Sequence, residues 1–291
     1  MPRSLRRSLV LLLTAALLVL AGSLSPAGAE IAGGGAGRAI GGEVKVPPRP
    51  ASATAATARS QVVSYSASIP AHEIWYLYVY CPAGMKVTGG GGTGYSQGYG
   101  NELRFTRALD GGDGWIVDVA NTTGSALPFY VQAVCFSGLS NYSIQTRTVA
   151  TTSPYPWEDA RVQCSSGTLL GSGVYANSYN IQLTVLRAHY DKWVDAAMIK
   201  RGADVQSLTA QAICADGIAG YQRVVVEQAS PAPGFRSYVA ECPVGTTVLS
   251  PGADLAGAVL LGFSVSQRWA TTWMTSQDAG WVSRYYAVCG S

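Results

Sequence analysis

Six cysteines constrain this chain more than any other feature. They stand at 81, 135, 164, 214, 242 and 289, and the gaps between them alternate long and short: 54, 29, 50, 28 and 47. An alternation of that kind points to an internal period. The residues around the cysteines share it. Each long gap opens on Cys-x-x-Gly: Cys81 to Gly84, Cys164 to Gly167 and Cys242 to Gly245. Glycine or proline follows at Gly89 to Gly92, at Gly171 and Gly173, and at Pro251-Gly252. A tryptophan precedes each closing cysteine at nearly constant distance (Trp115, Trp193, Trp269), and each copy closes on Ala-Val-Cys or Ala-Ile-Cys. Four features in register three times indicate a triplicated unit, with copies over 60–139, 140–218 and 219–291.

Within a copy the periodicity is that of strands. Residues Trp75 to Cys81 alternate two sets of side chains, as a pleated strand requires. Phe129, Val131, Ala133 and Cys135 share one face of a closing strand. Strands are also expected at Glu102–Leu109, Ile181–Ala188 and Val259–Ser266, with linking strands at Val62–Ser68, Tyr142–Val149 and Tyr221–Gln228. Asp-Gly and Gly-rich stretches supply the turns. No amphipathic 3.6-residue pattern runs for three turns; Asp195 to Ala210 comes nearest, and its register match to the other copies argues for strand. The fold class expected is all-β, as three tandem repeats in a pseudo-threefold, β-prism-like arrangement.

Ahead of the repeats lie two segments of different chemistry. Arg3, Arg6 and Arg7, an apolar run from Leu9 to Leu20, and Ala27-Gly28-Ala29 before Glu30 read as an export signal over 1–29. Arg6-Arg7 is a loose twin-arginine match, while so Leu-rich a run suits the general pathway at least as well. Residues 30–59 are Gly, Ala, Pro and Thr with almost no large apolar side chain, which reads as a disordered linker. The third copy reaches Ser291, and no tail domain is expected beyond it. The whole chain carries 20 Lys+Arg against 17 Asp+Glu, and loss of the signal removes three arginines and no acid. A balanced mature chain gives no electrostatic ground for nucleic acid or an anionic membrane as partner.

An even cysteine count in an exported chain points to disulfides, and without Cys-x-x-Cys there is no zinc spacing. The period reduces the possible pairings to two. Cysteines join within copies (81–135, 164–214, 242–289) or between neighbours (135–164, 214–242, 81–289). The first is preferred, since one ancestral copy had to close on itself.

Units that run Cys-Pro-x-Gly, a Gly-rich turn, a Trp-led strand and Ala-Val-Cys resemble a repeat of exported proteins from high-GC Gram-positive bacteria. The triplication and the opening Cys-x-x-Gly are also similar to the vitelline membrane outer layer protein I family. That resemblance implies a β-prism and, by analogy of fold alone, the binding of sugars or a glycan coat.

Catalytic chemistry finds little support. His72-Glu73 lacks a second histidine at position 76, which is Tyr76, and His189-Tyr190-Asp191 has no nominated nucleophile. Both histidines read as turn residues. Asp110 and Asp113, with Asn101, offer oxygens for calcium, but Asp-Gly is ordinary turn chemistry. No cofactor or metal is expected. The chain has 16 tyrosines and 7 tryptophans against 5 phenylalanines, a bias toward rings with a polar handle. Tyr76, Tyr78 and Tyr80 share a strand face, with Tyr95 and Tyr99 beyond, and form the candidate glycan-binding set. Trp115, Trp193 and Trp269, recurring in every copy, are expected as core plugs. The function expected is a secreted, non-enzymatic module for polysaccharide or cell-surface glycan. The alternatives are a structural or partner-binding part of an extracellular assembly, and a hydrolase with an unrecognised site.

Overall fold

The computed structural model describes residues 59–94, 100–151, 157–178, 180–189, 192–201, 207–229, 232–276 and 279–291. The export signal, all of the linker but Arg59, and Tyr95 and Tyr99 lie outside the described residues.

Each copy contributes six strands. The first holds β1 (Ser60–Ile69), β2 (Ile74–Tyr80), β3 (Lys86–Gly94), β4 (Asn101–Ala108), β5 (Gly114–Asn121) and β6 (Leu127–Phe136). The second holds β7 (Ser140–Ala150), β8 (Trp157–Gln163), β9 (Thr168–Ala176), β10 (Ile181–His189), β11 (Trp193–Lys200) and β12 (Ser207–Asp216). The third holds β13 (Gln222–Ala229), β14 (Gly234–Glu241), β15 (Thr247–Asp254), β16 (Ala258–Val265), β17 (Trp269–Ser276) and β18 (Val282–Gly290). The chain is all-β among the described residues; of the Asp195–Ala210 stretch, 195–200 falls on β11 and 207–210 on the start of β12.

The strands of a copy pair the same way three times. First, sixth and third form one antiparallel trio (β1-β6-β3, β7-β12-β9, β13-β18-β15). Second, fifth and fourth form another (β2-β5-β4, β8-β11-β10, β14-β17-β16). The turn after each opening cysteine has one geometry: Gly84, Gly167 and Gly245 take φ of +81°, +73° and +89°, where a side chain would be strained. Met85 N–H donates to Pro82 O at 3.1 Å and Thr246 N–H to Pro243 O at 3.1 Å, closing the turn in copies one and three.

Cys81 joins Cys135, Cys164 joins Cys214 and Cys242 joins Cys289, with Cα atoms 5.6, 5.8 and 5.7 Å apart. Each bridge ties the end of a second strand to the sixth strand, so it staples the two trios of its own copy. All six cysteines are buried.

Copies meet through the fourth strand of one and the third strand of the next. Between β4 and β9 one residue pair is in register, Thr106 with Val174. Between β10 and β15 there are two, Val185 with Asp254 and Leu186 with Ala253. β16 packs on β3 without a ladder. Hydrogen bonding therefore makes four sheets, of three, six, six and three strands, and not the even threefold division that the expected pseudo-threefold, β-prism-like arrangement implies. The physical reason is crossing: the fourth strand lies so close over the third that few backbone groups come into line.

That closeness corrects a second expectation. The glycines after Cys-x-x-Gly are not turns; they lie inside β3, β9 and β15. A Cβ on Gly91 would stand 2.5 Å from Phe263 Cβ, one on Gly173 would stand 2.9 Å from Arg107 Cα, and one on Gly252 would stand 2.7 Å from Leu186 O. The three positions are equivalent, opposite Gln132, Gln211 and Tyr286. Two residues earlier, Gly89, Gly171 and Ser250 converge: a Cβ on Gly171 would stand 3.0 Å from Ser250 Cβ, and one on Gly89 2.6 Å from it. Around this point one core cluster draws on all three copies, among them Trp115, Leu170, Leu249 and Phe263.

Candidate functional site

The recurring tryptophans are not equivalent. Cys81, Cys164 and Cys242 donate their N–H to Asp113, Lys192 and Arg268, at 2.8, 2.9 and 2.8 Å. The residue after each acceptor is Gly114 in copy one but Trp193 and Trp269 in the others. Trp115 therefore sits one residue further along its strand, and a shift of one turns a side chain to the opposite face. Trp115 is fully buried, its indole N–H donating to Thr106 Oγ1 at 2.7 Å, beneath Gly90, whose Cβ would stand 2.7 Å from the ring. Trp193 is 36% exposed and Trp269 52%. Of the three expected core plugs, one is in the core and two are on the surface.

The outward surface carries three chemistries. Across β8, β11, β10, β15, β18 and β13 runs a chain of ion pairs. Asp195 receives Arg161 and Arg187, Arg187 also reaches Asp254, and Arg284 pairs with Glu227. Burial alone would raise the Asp195 carboxyl, but hydrogen bonds from both arginines outweigh it and hold the group below its ordinary value. His189 ends β10 opposite Trp193. Its pKa is lowered, by burial first and then by Arg187. His72 is an exposed turn residue with φ of +58°.

A second surface belongs to β2, β5, β4, β9, β12 and β7. Trp75, Leu77 and Val79 point into the core, and Tyr76, Tyr78 and Tyr80 point away from it, half-buried. Tyr76 meets Phe105 at 5.4 Å between centroids, and Arg107 lies over Tyr175 at 4.8 Å. Burial raises the Tyr78 phenol, with Arg107 opposing it. At the centre Asp118 takes both oxygens to Arg104 at 2.9 Å, both residues buried. Burial pushes the Asp118 carboxyl up to about 6, against the pull of Arg104.

The third surface, over β14, β17 and β16 and on to β3, β6 and β1, holds a groove of about 430 Å³. One wall is Ser64 and Ser66 of β1 with Tyr130 and Gln132 of β6; the other is Ser264, Ser266, Trp269 and Thr271. The pairing of Ser64 with Gln132 and of Ser66 with Tyr130 puts these polar side chains on one face. Gln132 spans the junction that lacks a ladder. Its Nε2 donates to Val265 O at 3.1 Å and its Oε1 accepts from Val265 N–H at 2.9 Å. Gln211 does the same to Ala108, at 3.3 and 2.8 Å. Copy three has Tyr286 at this position, and Arg223, stacked on it at 5.4 Å, donates to Ala188 O instead. The groove lining contains no Asp, Glu, Lys, Arg, His or Cys.

Of the sequence-derived candidates, the structure brings Tyr76, Tyr78 and Tyr80 together, on a different surface from the groove. Nothing in the sequence groups Tyr130, Gln132 and Trp269; the strand-face alternation around Tyr130 is readable there, but the one-residue slip that exposes Trp269 is not. The oxygen set for calcium does not assemble. Asp110 lies in the turn after β4, bonded to Arg107 at 3.0 Å, and Asn101 begins that strand at its other end. Among the described residues no group of three or more His, Cys, Asp or Glu is placed to hold a metal, and no helix is long and apolar enough to cross a membrane. Neither a protein-family model nor a curated protein matches the chain.

Proposed function

We propose that the chain is an exported, non-enzymatic module that binds neutral polysaccharide in the groove beside Trp269. The observation that carries this reading is an indole half in solvent at the rim of a trough lined by hydroxyls and one amide, with no ionised side chain among them. A sugar ring offers an apolar face to stack and hydroxyls to pair, and such a lining answers both. Three disulfides suit an extracellular setting, and the three-copy scaffold that they staple gives a fixed platform.

The same reading takes the copies as turns about a pseudo-threefold axis through Gly89, Gly171 and Ser250. Repeated trios and equivalent junction glycines support it, and the missing ladder at β16 and β3 is then one variant of a weak joint. Likeness to the vitelline membrane outer layer protein I family belongs to this proposal.

The test is retention on insoluble cellulose, chitin and β-1,3-glucan. Retention on at least one is expected, lost in Trp269→Ala and kept in Trp193→Ala. Retention on none defeats the reading. Loss in Tyr78→Ala with Trp269→Ala unaffected moves the site to the tyrosine row.

A further inference from the structure

We propose, resting on that reading, that the groove is one end of a track along β17 and that the ligand is an extended uncharged polysaccharide chain rather than a single sugar unit. Trp269, Thr271 and Trp273 occupy alternate positions of β17 and share its outward face. Four residues of strand separate the two indoles by about 13 Å. Between them Thr271 lies opposite Ser264 on one side and exposed Val239 on the other.

Trp273 is built into the same surface. Its Nε1 donates to Ser264 Oγ at 3.4 Å, and Ser264 lines the groove. Phe235 stacks on it, with centroids 5.5 Å apart and planes 26° from parallel. A ring held on one face by another ring and at its edge by a hydroxyl is preorganised, so little ordering cost remains for a ligand that meets it. Two fixed stacking points that far apart cannot both be met by one sugar. They fit a chain lying along the strand, with hydroxyls and the Thr271 side chain between them.

The experiment is calorimetric titration of the protein with cello-, chito- and laminari-oligosaccharides of two to six units. In the series that binds, affinity is expected to rise about tenfold or more from the shortest to the longest. Trp273→Ala should weaken the six-unit ligand about tenfold and the two-unit ligand much less, while Trp269→Ala weakens both. A variant that merely loosened the sheet would weaken both lengths together, which separates a ligand contact from a structural role. Trp273→Phe, which keeps a ring but loses the Nε1 donor, should retain the length dependence. Equal affinity at every length, or equal loss at both lengths in Trp273→Ala, overturns the track while leaving the groove in place. A protein that neither the polysaccharides nor any oligosaccharide binds overturns both.

Discussion

Single residues in this molecule are chosen for what they omit as often as for what they add. A Cβ on Gly171 would lie 1.9 Å from the Thr88 carbonyl, where three strands from three copies meet. Backbone cannot yield there as a flexible side chain would. Gly171→Ala is expected to cost at least about 1–3 kcal/mol in urea denaturation, the range for overpacking a filled interior. Gly124→Ala, in an exposed turn with nothing within 4 Å, should be close to neutral. Asp118 sets a second test. Its proton is held more tightly in the fold than in the unfolded chain, whose value is 3.8. The stabilisation that this brings is complete below 3.8 and is lost as pH rises through about 6. Asp118→Asn removes that component, so stability measured from pH 4 to 6 should climb more steeply, or fall less, than in the parent. Asp195 works with the opposite sign, its contribution being lost as pH falls. Asp118→Ala removes the buried carboxylate that accepts from Arg104 on both oxygens and should cost about 3–5 kcal/mol at neutral pH.

At the scale of the element, the staples and the strands make separate demands. The three disulfides close loops of 54, 50 and 47 residues. Chain entropy assigns up to about 4 kcal/mol to each and differences under about 0.2 kcal/mol among them. Double Cys→Ala variants, one pair at a time, should thus lose nearly equal stability in chemical denaturation. A spread of several kcal/mol would mean that packing around one bridge, and not loop length, decides its worth. The strands that bear these cysteines were legible because both their faces follow a two-residue period: β2 and β6 alternate as read. The third strands were not. Gly89 to Gly92 have the composition of a turn, and only the strand crossing above them explains why glycine is needed in a sheet interior. The tryptophans escape the sequence for a subtler reason. Spacing to the closing cysteine is 20, 21 and 20 residues. Spacing to the hydrogen bond made by the opening cysteine is what fixes the face, and no sequence interval displays it.

Across the whole molecule, one scaffold presents three unlike surfaces. Framework positions such as the cysteines and the turn glycines recur; the outward positions have drifted, to a tyrosine row, a chain of ion pairs and an uncharged groove. A functional residue on such a protein cannot be found by asking what the copies share. Trp269 illustrates this: its recurrence points to a core role, whereas its surroundings (Tyr130 and Gln132 from another copy, 139 and 137 residues away in the chain) put it on the surface beside the groove. The all-β class and the pairing of cysteines could be read from the repeat. The groove could not, because it is lined by residues from the first and third copies and exists only where those copies meet.

Arg59, just before β1, donates to the Ser291 carbonyl at 3.1 Å and to that of Gly217, and lies over Phe136 at 5.3 Å. The two ends of the repeated region are therefore neighbours, and the copies form a circuit whose starting point is a matter of covalent linkage rather than of geometry. A short glycine linker from Ser291 to Arg59, with a new opening in the turn at 137–139, should give a chain in which the second copy is read first. Its three disulfides and its groove are expected unchanged, as peptide mapping and polysaccharide retention would show.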